Sequence, residues 1–148
     1  SGRCMCSGEQ IQRYRNRVSG PLLDRIDIQI EVIRPKSSIL SASKDNIEGS
    51  STVRQRVIDS RKVQMGRAGK CNAMMDNGDL EKHCRINKET LRLLEHAAEK
   101  LYLSPRACHR ILKVSRTIAD LDGVTNINPG HVAEAISFRR LNTEQHYI

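Results

Sequence analysis

The sequence predicts a mainly α fold, a helical domain preceded by one short helix and one strand. Three observations predict it. Apolar residues recur at three- and four-residue spacing through most of the second half, as at Leu91, Leu94, Ala98 and Leu101. Two segments open on a capping residue followed by proline, Ser104-Pro105 and Asn128-Pro129. Strict alternation occurs where Ile28, Ile30 and Val32 interleave with Gln29 and Glu31, the period of a strand with one buried face.

Taken in order, Gly8 to Arg17 reads as a short polar helix, and Ser19-Gly20-Pro21 breaks it. Leu22-Leu23-Asp24-Arg25-Ile26-Asp27 leads into the alternating strand, which Pro35 ends. One strand cannot satisfy its own backbone groups, so its partners are expected to lie outside this chain. Residues 36–49 carry no sustained period and read as a flexible linker. Ser51 to Met65 predicts an amphipathic basic helix, with Val53, Val57 and Ile58 on one side and Arg54, Arg56, Arg61 and Lys62 over the remainder.

Asn72 to Gly78 reads as a loop, and Asp79 to Cys84 as a turn or two of helix. Asn87 caps the helix that buries Leu91, Leu94, Ala98 and Leu101. The helix from Pro105 to about Asp122 places Ala107, Ile111, Val114, Ile118 and Leu121 on one face, with Gly123 as its stop. The last helix opens at Pro129 and turns Val132, Ala133 and Ile136 inward. Four helices therefore follow one strand.

At 148 residues and 38% apolar content, the chain suits one modest core. Its opening, Ser1-Gly2-Arg3-Cys4, has neither Met nor an apolar run, which reads as a piece cut from something longer and shows no signal peptide. Apolar runs fall far short of the ~20 residues a bilayer span needs, so no membrane partner is expected. Aromatic content of 3%, without Trp, argues against a dedicated single-strand reader. The formal charge of +8 permits a polyanion partner, and it also suits solvated helix faces; charge alone does not decide. Five cysteines, an odd number, point to reduced thiols in a cytoplasmic setting rather than to a disulfide framework.

Four segments are less generic: Gln10-Ile11-Gln12-Arg13-Tyr14, Ser19-Gly20-Pro21-Leu22-Leu23-Asp24-Arg25-Ile26-Asp27, Cys71-Asn72-Ala73, and the run from Arg110 to Leu121. Together they resemble the bacterial magnesium-chelatase-like branch of the AAA+ ATPases, the ComM/YifB family, over nearly the whole chain. The resemblance implies a remnant of the ATPase core at 1–35, a linker at 36–49 and a helical AAA+ lid domain at 50–148. It also implies roles for particular residues. Arg25 looks like the arginine finger that one subunit inserts against the γ-phosphate bound by its neighbour. The chemistry asks for a permanently charged, bidentate donor there, an effect worth roughly 10³ to 10⁵ in rate. Read without the resemblance, Arg25 would be a local ion-pair partner of Asp24 or Asp27.

Arg106, in the first turn after Ser104-Pro105, is similar to the sensor 2 arginine that lids turn towards nucleotide, where helix amides and a cation attract the same anion. Arg110 and Lys113 are the fallback contacts on that face, and a solvated basic face is the alternative. Cys4 and Cys6 look like the last two members of a four-cysteine cluster. Two thiolates cannot complete a tetrahedral zinc site, so no stable metal is expected in this chain. Cys71, Cys84 and Cys108 read as packing residues, and His83, His96, His109 and His131 as surface or boundary histidines.

The chain carries no Gly-x-x-x-x-Gly-Lys-[Ser/Thr] loop and no acidic Walker B strand. ATP and Mg are accordingly expected in the intact protein and not in this piece, which should show no turnover alone and be a monomer. The reading is a lid and trans-acting arginine segment of a ring ATPase that remodels DNA, its partners being neighbouring subunits. The alternatives are the ATPase subunit of a metal chelatase and a helical DNA-binding or adaptor module.

Overall fold

The computed structural model describes residues 5–15, 17–32 and 48–139. Among these are seven α-helices: α1 (Gly8–Arg15), α2 (Gly20–Arg25), α3 (Ser50–Ala68), α4 (Asn77–His83), α5 (Lys88–Lys100), α6 (Pro105–Leu121) and α7 (Pro129–Ser137). A 3-10 turn at Asn72–Met74 joins α3 to α4. The mainly α class holds. The linker reading over 36–49 falls, at 36–47, outside the described residues, and so does Cys4.

Side-chain caps begin four of these helices. Asn87, Ser104 and Asn128 each accept the backbone N–H three residues on, at 2.8, 3.1 and 3.1 Å. Asp76 and Asp79 close a reciprocal capping box that starts α4, and Lys70 secures it with a 2.6 Å bond to Asp79. Gly123, at φ +70°, takes the left-handed conformation that follows the end of α6.

α6 is the central element. It packs against α7, α3, α4 and α2, and α5 packs on α7. The core gathers Met75, Leu80, Cys84, Leu94, Ile111, Ile118, Ala119, Ile127, Val132 and Ala135 from α4 to α7 and their connections. Burying Ile111, which is 1% exposed, stabilises by about 1.5–3 kcal/mol.

Several expected faces are corrected. Val53, Val57 and Ile58 are exposed, and α3 instead buries Ser60 and Gln64. Its inward contact is polar: Gln64 receives the Asn72 N–H at 3.1 Å and donates to Ser60 at 3.3 Å. Leu91 and Leu121 are exposed, Ala133 likewise, while Thr90 and Ala135 are buried. No β-strand is found among the described residues. At 28–32 the backbone bonds instead to the end of α7, from Gln29 N–H to the Phe138 carbonyl at 2.8 Å, and no second strand lies beside it among the described residues.

Candidate functional site

Sequence reading gave the arginine-finger motif at Leu22–Arg25 no secondary structure, yet it lies in α2, with Pro21 in the first turn. A six-residue helix leaves most of its carbonyls without internal partners, so each must be met from outside. The Leu23 carbonyl accepts from Ile26 N–H at 3.1 Å and from Gln29 Nε2 at 3.2 Å. That of Arg25 accepts from Arg110 Nη1 at 2.8 Å. Those of Asp24 and Ile26 both accept from Arg139 Nη2, at 3.2 and 3.0 Å. Three consecutive carbonyls around Arg25 are thus held by two arginines, one on α6 and one just after α7.

The flanking carboxylates are engaged the same way. Asp27 pairs with Arg110 Nη1. Asp24 accepts the Ser104 hydroxyl at 3.3 Å and lies 3.5 Å from Arg139 Nη1, close enough for an ion pair but without hydrogen-bond geometry. With both aspartates so engaged, the Arg25 side chain is exposed and has no ion-pair partner among the described residues. The local pairing with Asp24 or Asp27 that its sequence context allowed is not formed.

Arg106, also exposed, lines a cleft of about 270 Å³ together with Asp27, Ala73, Asn77, His109, Arg110 and Lys113. The cleft lies at the N-terminal half of α6, beside the segment that carries Arg25. Of the fallback residues, Arg110 spends Nη1 on Asp27 and Arg25, and Lys113 Nζ donates to the Ala73 carbonyl at 3.3 Å. Arg106 is the cation of this cleft without an intrachain hydrogen bond or ion pair among the described residues.

A second polar cluster escaped the sequence reading. Asp120, its side chain 1% exposed, takes both Nη atoms of Arg67 at 2.6 and 2.7 Å, Asn72 Nδ2 at 2.8 Å and Arg116 at 3.0–3.1 Å. Burial alone would push its carboxyl up; the bonds from Arg67 and Asn72 and the charge of Arg116 hold it below the ordinary value. Arg116 also donates to the carbonyls of Val124 and Thr125, at 2.7 and 2.5 Å, fixing the loop after α6. The cluster locks α3 to α6. Its one legible signal was the i, i+4 spacing of Arg116 and Asp120.

Cys6 is exposed, and no group of three or more potential metal ligands occurs among the described residues. Cys84 is buried, while Cys71 and Cys108 are half-buried. His131 departs from the surface reading: it is buried, its ring accepts the Asn128 N–H at 3.1 Å, and Nε2 meets Asp122 at 3.1 Å. No helix among the described residues is long and apolar enough to cross a membrane.

Comparison with known proteins shows the family. The family described as magnesium chelatase, subunit ChlI C-terminal, matches residues 47–139, and that described as magnesium chelatase, subunit ChlI, matches residues 1–40. The chain is 48% identical over 135 residues to the competence protein ComM of Haemophilus influenzae, covering 91% of this chain and 26% of the relative. It is 42% identical over 137 residues to YifB of Escherichia coli, covering 93% of this chain and 27% of the relative. The chain therefore spans about a quarter of the length of these curated relatives. With more than half its residues inside the ChlI C-terminal family and such identity to ComM and YifB, it belongs to the magnesium-chelatase-like proteins of the ComM/YifB type.

Proposed function

We propose that this chain is the lid and trans-acting arginine segment of a ring-forming AAA+ ATPase that remodels DNA, in the manner of branch migration during natural transformation. The observation that carries it is the state of Arg25: its side chain is exposed and unpaired among the described residues, while the backbone beneath it is tied down on both sides. An arginine whose backbone is so held has only its side chain left to order when it meets an external phosphate, and its charge is permanent. Its action is on charge developing at a phosphoryl group bound by the adjacent subunit. Arg106 faces phosphate from the neighbouring cleft, in the first turn of α6, where the positive end of the helix dipole adds to its charge.

ATP is the substrate of the intact assembly. The residues that would hold magnesium and cradle the phosphates are not among those of this chain, so what this chain supplies is positive charge and its positioning. The polymer is inferred to be DNA from the +8 charge together with the relation to a protein named for competence.

The test is Arg25→Ala in the intact protein. Turnover should fall roughly 10³-fold while ATP binding persists. Loss of ATP binding, or turnover close to wild type, would overturn the finger role. Branched or single-stranded DNA should stimulate the wild-type protein; stimulation by a chelatase partner and not by DNA would give the metal-chelatase reading instead.

A further inference from the structure

We infer that Arg139 is a positioning residue for Arg25, coupling α7 to the placement of the arginine finger. The inference rests on the finger role proposed above. Arg139 follows α7, is 1% exposed, and lies 113 and 115 residues from the carbonyls it bonds, those of Ile26 and Asp24. A buried guanidinium is costly unless its charge and donors are met. Here the α2 segment supplies what is met: Nη2 donates to two carbonyls and the Asp24 carboxylate lies at ion-pair distance from Nη1, while Nη1 and Nε have no hydrogen-bond partner among the described residues.

Arg110 completes the hold from α6 through the Arg25 carbonyl and Asp27. The two arginines approach from α6 and from the turn after α7 and take alternate carbonyls, so the Arg25 backbone cannot shift relative to α6 and that turn without breaking one of them. Movement of the lid is thereby transmitted to the finger. Arg106, one turn before Arg110 on α6, joins the nucleotide-facing cleft to the same rigid corner.

The experiment is subunit mixing in the intact protein, using Arg139→Met, which keeps length and apolar volume but cannot donate. The variant should keep its melting temperature and ATP affinity within about twofold, and lose about 10²-fold in kcat, the scale expected of a misplaced catalytic group. Arg139→Lys should recover part of that loss. Rings assembled from R139M and R25A subunits together should be no more active than either alone, because both lack a working finger. Recovery in the mixture would mean that the R139M finger is sound and its fault lies in its own nucleotide site, which overturns the inference.

Should R139M not fold, Arg110→Met tests the same clamp from the half-buried side, with the same outcomes. Failure of both to fold marks the pair as folding elements and equally overturns a positioning role. The underlying finger reading fails separately, if R25A alone retains turnover.

Discussion

Arg67 closes a two-pronged ion pair on Asp120, 53 residues away, at 2.6 and 2.7 Å. It is the longest-range charged contact holding α3 to α6, and Asp120 is almost wholly withdrawn from water. Replacing Asp120 with Asn would leave the Arg67 and Arg116 guanidiniums without their counter-charge. Removing one partner of a buried pair costs about 3–5 kcal/mol. The expected result is a lower denaturant midpoint with unchanged slope, read by circular dichroism. The same carboxylate sets an acid limit. Its native pKa lies below the ordinary 3.8, so its contribution is complete above that value and is lost as pH falls through the depressed one. D120N should flatten stability over that acidic range; an unaltered acid limb would contradict the assignment.

The cysteines should separate by accessibility. Cys6 is exposed, whereas Cys84 lies in the core and burial raises its thiol pKa to about 11. Only the thiolate reacts, so Cys84 is doubly protected at neutral pH. Mass spectrometry after alkylation under native conditions should find Cys6 modified and Cys84 untouched until denaturant is added. Early labelling of Cys84 would mean that α4 opens away from α6.

Helix starts were legible because the cap is a local bond: Asn87, Ser104 and Asn128 each reach an amide three residues on, and their side-chain chemistry announces it. Facing was legible where an apolar stripe meets the central helix, as at Ala107, Ile111 and Ile118. On α3 it was not. There the inward surface is Ser60, Gln64 and Arg67, whose polarity is satisfied by partners on distant segments that periodicity does not report. α2, at six residues, is too short to show a period at all. The candidate site divides the same way: Arg25 and Arg106 came from the resemblance, while the ties of Arg139 to Asp24 and Ile26 span over a hundred residues and no local pattern encodes them.

Ser104 performs two tasks with one hydroxyl. Its oxygen accepts the Ala107 N–H at 3.1 Å, capping α6, and its proton is directed at the Asp24 carboxylate at 3.3 Å. Ser104→Ala removes both, whereas Asp24→Ala removes only the acceptor of the second bond and leaves the cap in place. The cap alone is worth about 1 kcal/mol. If the two bonds act together, S104A should lower stability by more than that, and in the D24A background its cost should shrink to the cap's share. A double-mutant cycle measures the difference directly. Because the residue sits between α6 and the segment bearing Arg25, S104A in the intact protein should also reduce turnover modestly at unchanged ATP affinity. Strictly additive stabilities in the cycle would show that the hydroxyl serves the helix and leaves the arginine segment to Arg110 and Arg139.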